Sequence, residues 1–373
     1  MLDNIRSLFD MPSEVAYLNC AGQSPQLEIS RSAGINGIGI KSNPWKLDPE
    51  VWHQASDRLR ELFSNLIGAT GSDIAIIPST SYGVATAASN LPLGKGQNIV
   101  VLEAQFPSNV YAWEKMAADR GAELSVVKRP DNYDWTSAVV AQISETTAIA
   151  ALPPCHWTDG SLLDLVAIGE RCREVGAALV VDATQIVGAM PLDVKAIKPD
   201  FLVCSAYKWL LCPYSMAFLY VDPKWQSGRA LEHSQFNHKP RDPVTGIVSP
   251  QEGAARFDMG ERNNFVSLSM AVAAMIQVVS WGPEKVQAAL RPLTDLAARN
   301  AEERGWAVPP ANSRTGHIIG ITFPKKLPEK IGEKLARKNV YVGERGGGLR
   351  ISPYLYNTSD DIEAFFKAMD HLL

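Results

Sequence analysis

The sequence lacks the features that mark several large classes of protein. Its five cysteines are odd in number and scattered, which argues against the disulfide framework of a small secreted domain. Neither sign of charge is in large excess, since the formal net charge is −4 over 373 residues. We therefore expect neither nucleic acid nor an anionic membrane surface as a partner.

Long apolar runs are also missing. The longest apolar segments are too short to span a bilayer and are broken by Lys, Pro or Gly. The stretch MLDNIRSLFDMPSEVAYLN carries acids early and has no apolar run followed by a small-residue cleavage site, so it does not predict a signal peptide. We expect a cytoplasmic protein with no membrane contact, whose partners are small molecules.

What is present favours an ordinary enzyme with an α/β fold. The composition, 46% hydrophobic and 20% charged, is typical of such proteins. Seven short apolar runs alternate with longer amphipathic segments, which predicts a largely parallel sheet with helices on both faces. The runs are IAIIP, NIVVLE, ELSVVK, TAIAALP, AALVVDA, DFLVCSA and MAFLYV.

The pattern changes from about Ser267. Two long helical stretches come first, and shorter strand-like and helix-like segments follow to the end of the chain. We predict a large domain, residues 15–260, with a mostly parallel seven-stranded sheet between helices. A smaller α+β domain is predicted from residues 1–14 and 261–373.

One lysine lies in an apolar setting, within DFLVCSAYKWLLCPYSMAFLYV. Lys208 either ends a strand with its ammonium in water, or occupies an apolar pocket that lowers its pKa and frees the amine to form a Schiff base. Cys204 and Cys212 raise a third possibility, a thiol pair or metal site, but their spacing fits neither a C-x-x-C motif nor a zinc knuckle.

Two further segments place polar side chains where a predicted strand ends. In PSTSYGVATAASN, Thr80 and Ser81 open a helix and form either a phosphate cradle or an ordinary N-cap. In VVDATQIVGA, Asp182 ends an apolar strand and either caps a helix or faces a cation such as a protonated pyridine nitrogen. Gln185 follows three residues later, within reach of a cofactor's phenolic oxygen.

The last candidate is a C-terminal arginine. Arg350 emerges from a glycine run in GGGLRISPYLYN, where it either grips a carboxylate with its guanidinium fork or forms a surface salt bridge. Ser205 and Tyr207, close to Lys208 in sequence, are candidates for phosphate contacts.

The order and spacing of these segments resemble the class V aminotransferase family of pyridoxal-phosphate enzymes. The resemblance runs from YLNCAGQSP to RISPYLYNTSDDIEAF, and its most specific elements are DATQ, SAYKW and LRISPYLYNT. It implies the aspartate-aminotransferase fold, pyridoxal 5'-phosphate as cofactor and a homodimer.

The resemblance also implies roles for individual residues. Lys208 would form the Schiff base, Asp182 would pair with the pyridine nitrogen, and Gln185 would contact the phenolic oxygen. The segment EAQFPSNVYA is similar to one in kynureninases whose phenylalanine stacks on the pyridine ring, which assigns Phe106 to stacking. The positions that match phosphate contacts are Thr80, Ser81, Ser205 and Tyr207.

A second set of positions is assigned to the substrate side. Arg350 would bind the substrate carboxylate, with Asn19 and Trp157 lining the substrate pocket. In the loop CHWTDG, His156 is either a hydrogen-bonding partner of the cofactor's oxygen or a surface histidine. Further positions to examine for specificity are Tyr354, Tyr356 and the segment HSQFNHKPRDP.

The chain departs from the family pattern at two places. No cysteine lies between Cys212 and Arg350, where cysteine desulfurases and selenocysteine lyases carry a reactive one. In RFDMGERNN, Glu261 stands where many relatives have a threonine that reaches the phosphate of the neighbouring subunit, and Arg262 or Asn263 is the candidate replacement.

These features lead us to expect an aminotransferase that acts on a small amino acid. The alternatives are a β-lyase or kynureninase-like hydrolase, an isopenicillin N epimerase-like epimerase, and a non-catalytic protein that binds pyridoxal phosphate. A persulfide relay is not expected because the loop cysteine is missing.

Overall fold

The computed structural model describes residues 5–373, so the first four residues of the predicted small domain lie outside the described part. Twelve strands are present in that part. They are β1 (Ala16–Tyr17), β2 (Ile74–Ile77), β3 (Asn98–Leu102), β4 (Glu123–Val127), β5 (Thr147–Leu152), β6 (Ala178–Asp182), β7 (Phe201–Ser205), β8 (Ala217–Val221), β9 (Ile319–Ile321), β10 (Val340–Tyr341), β11 (Gly343–Arg345) and β12 (Gly348–Ile351).

Helices connect these strands through most of the chain. They are α1 (Glu28–Ser42), α2 (Pro49–Ile67), α3 (Thr80–Asn90), α4 (Tyr111–Arg120), α5 (Trp135–Gln142), α6 (Leu165–Val175), α7 (Val194–Ile197), α8 (Phe265–Trp281), α9 (Pro283–Glu303), α10 (Ile331–Ala336) and α11 (Ser359–Asp370).

The seven predicted strands form one sheet, in the order β2-β8-β7-β6-β5-β3-β4. The pairs among β3, β4, β5, β6 and β7 are parallel, and β8 alone runs antiparallel to its neighbours β7 and β2. The prediction of a mostly parallel, seven-stranded α/β sheet is confirmed. Because two antiparallel pairings restore the direction, β2 and β7 point the same way, and their carboxyl ends share one edge with those of β3, β5 and β6.

Both faces of this sheet are covered. Every residue of β2, β3, β7 and β8 is buried, as expected for strands with a helical layer on each side. Successive side chains enter two separate apolar clusters, since Ile74 and Ile76 belong to one and Ala75 and Ile77 to the other.

A third apolar cluster lies around the antiparallel sheet β11-β12-β9 and the helices α9, α10 and α11. Two segments pack across the predicted division at residues 260 and 261. β1 pairs with β10, and Ala16 joins this third cluster, whereas α8 packs on α1 and α2 and contributes to the core of the large sheet. The domain boundaries, 15–260 against 1–14 and 261–373, therefore remain a proposal. Strand β1 packs with the small domain and helix α8 with the large one.

Within residues 5–373, no single helix is both long enough and apolar enough to cross a membrane. Helices α8 and α9 together have the length and apolar composition that a membrane span requires, but the chain bends by 76° between them.

Candidate functional site

A cavity of about 270 Å³ lies at the edge where the carboxyl ends of β2, β3, β5, β6 and β7 meet. Open α/β sheets bind their ligands at this edge, because the loops that follow the strands form a crevice there. The cavity is lined by Pro78, Ser79, Thr80, Ser81, Gln105, Phe106, Ser108, Asn109, Pro153, Cys155, Trp157, Asp182, Thr184, Gln185, Ser205, Tyr207, Lys208, Tyr214 and Ser215.

Lys208 is buried in this cavity and does not point to bulk water. The residue is only 5% exposed. Its Nζ lies 5.2 Å from the Phe106 ring centroid and 5.5 Å from the Tyr207 ring centroid. Burial lowers the pKa of the amine to about 8, against the opposing charge of Asp182 and with a further lowering from Arg350. Of the interpretations drawn from the sequence, the structure agrees with a desolvated amine.

The two neighbouring cysteines do not form a pair. Cys204 and Cys212 are both free and buried, and burial raises the pKa of each thiol. In the described part of the chain, no group of His, Cys, Asp and Glu side chains is arranged to hold a metal ion. The third interpretation of Lys208 is therefore not supported.

Asp182 is a buried carboxylate without a cationic partner. It is 7% exposed at the end of β6, and Oδ1 accepts a hydrogen bond from the Thr184 backbone N–H at 3.1 Å. Burial raises its pKa, although the hydrogen bonds of Thr184 and the charge of Lys208 act the other way. No basic side chain within residues 5–373 forms an ion pair with it, so the carboxylate is available to a cationic group in the cavity.

A cluster of hydroxyl groups lies at the start of α3. Thr80 Oγ1 is 2.8 Å from Ser205 Oγ and 3.2 Å from Thr184 Oγ1, and Ser79 Oγ is 2.9 Å from Ser81 Oγ. Ser79 is the N-cap, accepting from the Tyr82 N–H, so Thr80 and Ser81 occupy the first helical turn. Hydroxyl donors beside the unpaired N–H groups of a helix start suit a phosphate dianion.

The aromatic and amide side chains complete the walls. Phe106 and Trp157 meet edge to face with centroids 5.3 Å apart, and Tyr207 packs against Tyr214 at 4.6 Å. The Gln185 amide donates to Ala21 O at 3.1 Å and accepts from Trp209 Nε1 at 2.9 Å. One amide N–H of Gln185 is thus left for a ligand, and its predicted contact with a phenolic oxygen remains a prediction, as does stacking on Phe106.

Arg350 and Asn19 adjoin the cavity but do not line it. Arg350 is 1% exposed; Nη1 donates to Trp157 O at 2.8 Å, Nη2 donates to Asn19 Oδ1 at 3.3 Å, and Nε has no partner. Burial lowers the pKa of the guanidinium to about 9. Since no carboxylate in residues 5–373 pairs with Arg350, the alternative of a surface salt bridge is wrong.

His156 is placed differently from either expectation. It is fully buried and stacks on Trp135, Nδ1 lies 2.7 Å from Thr158 Oγ1, and Nε2 lies 3.0 Å from Glu103 O. Both ring nitrogens are thus occupied by protein atoms, and the residue does not line the cavity. Its assignment to the cofactor's oxygen is corrected: it positions the loop that carries Trp157.

The additional specificity candidates also lie elsewhere. Tyr354 and Tyr356 are 0% and 1% exposed and belong to the apolar core. The segment 233–243 lines a different cavity, together with His53. None of these residues lines the cavity of Lys208 in the same subunit, and their role in specificity stays a prediction.

The proposed replacements for the cross-subunit threonine point inward. Arg262 Nε lies 3.1 Å from the buried carboxylate of Asp258, and Asn263 is 2% exposed and bonded to Ser56. These contacts are formed within one subunit. A contact of either side chain with a neighbouring phosphate therefore stays a prediction.

Residues 49–365 match the family model described as aminotransferase class-V. The chain belongs to the class V aminotransferase family. It is a pyridoxal-phosphate-dependent enzyme of the aminotransferase-like class.

Class V relatives with different activities resemble the chain about equally. The uncharacterized aminotransferase YcbU of Bacillus subtilis (strain 168) is 27% identical over 314 residues, which cover 83% of this chain and 83% of YcbU. Isopenicillin N epimerase of Streptomyces clavuligerus is 27% identical over 344 residues, covering 84% and 83%. A solved C-DES mutant with glycine covalently linked to the PLP cofactor superposes with a TM-score of 0.89 at 16% identity, covering 99% of each chain, which shows the shared fold.

The class V cofactor fits the residues of this cavity. The uncompensated carboxylate of Asp182 suits a protonated pyridine nitrogen, and the hydroxyl cluster at α3 suits the phosphate. A further buried polar atom, Asn109 Nδ2, has no hydrogen-bond partner although its residue lines the cavity, and Asn109 Oδ1 accepts from Trp113 Nε1 at 3.1 Å. An unpaired buried donor of this kind is costly unless a ligand accepts from it.

Several residues of the class V cavity escaped the sequence reasoning. Thr184 belongs to the DATQ motif, and its position two residues after Asp182 could have indicated that its hydroxyl lines the cavity. Asn109, Cys155 and Tyr214 carried no signal of their own, because each belongs to a loop whose path is set by tertiary packing.

Proposed function

We propose that the chain is an amino-acid aminotransferase in which Lys208 binds the cofactor and transfers the proton at the substrate's Cα. One observation carries this proposal: Lys208 is the only amine or imidazole among the described residues that line the cavity, and its pKa is lowered to about 8. An amine with that pKa takes up and returns a proton readily near neutral pH.

Residues at the carboxyl ends of four strands would hold the cofactor. Asp182 would pair with the pyridine nitrogen, Gln185 would donate to the phenolic oxygen, and Phe106 would cover one ring face. The phosphate would be bound by Thr80, Ser81, Ser205 and Tyr207, with Thr184 as an added donor.

When bound, pyridoxal phosphate supplies an electron sink that stabilises negative charge on the substrate's Cα. Arg350 and Asn19 would bind and orient the α-carboxylate. Trp157, whose ring nitrogen donates to Ala104 O at 2.8 Å, would wall the substrate side and exclude water. Lys208 would then move the proton on a single face, because no second amine or imidazole lines the cavity within residues 5–373.

This single base bears on the alternative reactions. Epimerisation by two bases needs a second proton acceptor in the cavity, and the thiol of Cys155 and the phenol of Tyr207, which both line it, have a pKa raised by burial. A desulfurase needs a reactive thiol near the substrate, and the same raised pKa keeps Cys155 protonated. A non-catalytic binding protein has no need of three buried and unpaired charges.

The test is a half-reaction on purified protein loaded with pyridoxal phosphate. A panel of L-amino acids is added without an amino acceptor, and 2-oxo acid, ammonia and D-amino acid are measured separately. Transamination yields about one equivalent of 2-oxo acid per active site without ammonia. Release of ammonia or of a side-chain fragment would instead identify a lyase, and accumulation of D-amino acid an epimerase.

We also propose a homodimer, supported by apolar side chains that α1 and the following turn expose. Ile29, Ile35 and Ile38 are 58%, 58% and 57% exposed, and Trp45 is 76% exposed. Sedimentation velocity should give twice the mass of the chain, and Ile38→Glu should shift it towards the monomer. A monomeric wild type would overturn this assignment.

A further inference from the structure

A second arginine lies next to Arg350 on the same face of a hairpin. In the pairing of β11 with β12, Gly343 is opposite Arg350, and Arg345 is opposite Gly348. Residues opposite each other, and residues two apart on one strand, project to the same side of a sheet. Arg345 and Arg350 therefore share one face, with a glycine opposite each of them.

The turn of this hairpin fixes that register. Gly346 and Gly347 connect the strands, with φ of 57° and 80°. Positive φ at both central residues is what a tight two-residue hairpin turn of type I′ requires. A register shift would turn one guanidinium to the other face, so this glycine pair holds the two arginines together.

Both guanidinium groups contact the same wall of the active site. Arg350 Nη1 donates to the Trp157 carbonyl at 2.8 Å, and Arg345 Cζ lies 5.5 Å from the Trp157 ring centroid. Trp157 lines the cavity of Lys208. Arg345 does not itself line the cavity, but it packs against the Trp157 wall that the proposed function assigns to the substrate.

Neither arginine is neutralised by the protein. In residues 5–373, no carboxylate forms an ion pair with Arg345 or Arg350, and Nε of each is buried without a hydrogen-bond partner. The charge of Arg345 contributes to lowering the pKa of both Arg350 and Lys208. Two like charges on one face of a hairpin are unfavourable unless an anion compensates them.

We propose that Arg345 binds a second negative charge, carried by the substrate's side chain, and that the substrates are dicarboxylic amino acids. This inference rests on the proposed function, in which Arg350 binds the α-carboxylate. With Arg350 occupied, Arg345 is the remaining uncompensated cation on this face, and its fork of donors suits a second carboxylate.

Binding of inert probes tests this without catalysis. Succinate and butyrate are equal in chain length and differ in the second carboxylate. Their dissociation constants for the protein loaded with pyridoxal phosphate are measured by calorimetry. A charged hydrogen bond is worth enough for succinate to bind about tenfold or more tightly than butyrate.

Variants then assign the preference to Arg345. Arg345→Gln should weaken succinate about tenfold and leave butyrate unchanged, Arg345→Lys should recover part of the preference, and Arg350→Gln should weaken both probes. Arg120→Gln, on the exposed end of α4, is the matched control and should change neither. Equal affinities in wild type, or equal weakening of both probes by Arg345→Gln, would overturn the inference.

Failure of the proposed function gives a different result. If transamination is wrong, the half-reaction yields ammonia, a side-chain fragment or D-amino acid, or no product, and no 2-oxo acid forms without ammonia, yet the succinate preference and its loss in Arg345→Gln persist. If only the inference is wrong, 2-oxo acid forms from neutral amino acids, and Arg345→Gln does not change the ratio of kcat/KM for glutamate to that for glutamine.

Discussion

The interior holds two groups of charged side chains that are equally hidden from solvent and differ in their pairing. Around β2, Asp258 accepts from the Arg60 guanidinium and, at 2.8 Å, from the Ile76 N–H, while Arg262 Nε lies 3.1 Å away. At the carboxyl edge of the sheet, the buried charges of the second group form no ion pair with any of the described residues. That group comprises Asp182, Lys208 and Arg350.

This difference separates charges that support the fold from charges kept for a ligand. Asp258 is 0% exposed, and a carboxylate that deep is tolerated because two guanidinium groups surround it. Asp182, Lys208 and Arg350 are 7%, 5% and 1% exposed, and the protein carries their desolvation cost without compensation. Buried groups with shifted pKa and no partner are typical of functional sites.

Removal of Lys208 should have the largest effect. In Lys208→Ala, turnover should fall by about a thousandfold or more, because the amine supplies both the covalent attachment and the proton transfer. The visible absorption band of the covalently held cofactor should disappear, whereas Lys195→Ala, an exposed lysine on α7, should keep it. A band like that of wild type in Lys208→Ala would show that another group holds the cofactor.

Removal of Asp258 should destabilise the fold and leave the chemistry of folded molecules intact. Asp258→Ala should lower the free energy of unfolding by about 3–5 kcal/mol, because two buried guanidinium groups lose their counter-charge. Urea denaturation measures this. Asp57→Ala is the control, since Asp57 is 71% exposed and lies 3.8 Å from Arg60, and it should cost under about 1 kcal/mol. Equal losses in both variants would erase the contrast between the two groups.

Neutralising Asp182 should act in the opposite direction on stability. In cofactor-free protein, Asp182→Asn should raise the free energy of unfolding by about 1 kcal/mol, because an uncompensated buried charge becomes a neutral amide of similar shape. Turnover should fall by about a hundredfold, since an amide does not keep a pyridine nitrogen protonated. A destabilised Asp182→Asn would place Asp182 with the structural group instead.

The stability of the fold should also depend on pH through Lys208. The pKa of Lys208 is about 8 in the folded protein, below the roughly 10.4 of an unfolded lysine. Between these values the unfolded chain binds the proton that the folded chain has lost, so the free energy of unfolding rises with pH.

Urea midpoints of cofactor-free protein, measured between about pH 8 and about pH 10, should show this rise relative to Lys208→Ala. Loading with pyridoxal phosphate should abolish the difference, because the amine is then bound. Parallel curves for the two cofactor-free proteins would show that Lys208 keeps an ordinary pKa.

The large sheet could be predicted because its strands are buried on both sides. Such strands are written as continuous apolar runs, and all seven predicted runs are strands of one sheet. The direction of β8 could not be predicted, because the apolar run MAFLYV would look the same in a parallel strand as in an antiparallel one. Its antiparallel pairing depends on the length and path of the preceding loop.

The sequence predicted the site less evenly than the fold. Lys208, Asp182, Thr80 and Ser205 were marked by unusual residue types at strand ends, and the structure brings them to one cavity. His156 sat in an equally suggestive loop but stacks on Trp135 beneath it. Whether a loop side chain faces inward or outward is decided by packing partners far away in the sequence.

The sequence by itself determined the α/β layering, the strand-end positions of the polar residues and the family, because these follow from local patterns of burial and residue type. Only the tertiary structure decided which charges are paired and which are left for a ligand. Residue type does not distinguish Arg262 from Arg345, yet Arg262 lies against the Asp258 carboxylate, whereas Arg345 packs on Trp157 and forms no ion pair within residues 5–373. The reason is physical: pairing depends on distances of a few ångströms between residues that only the folded chain brings together.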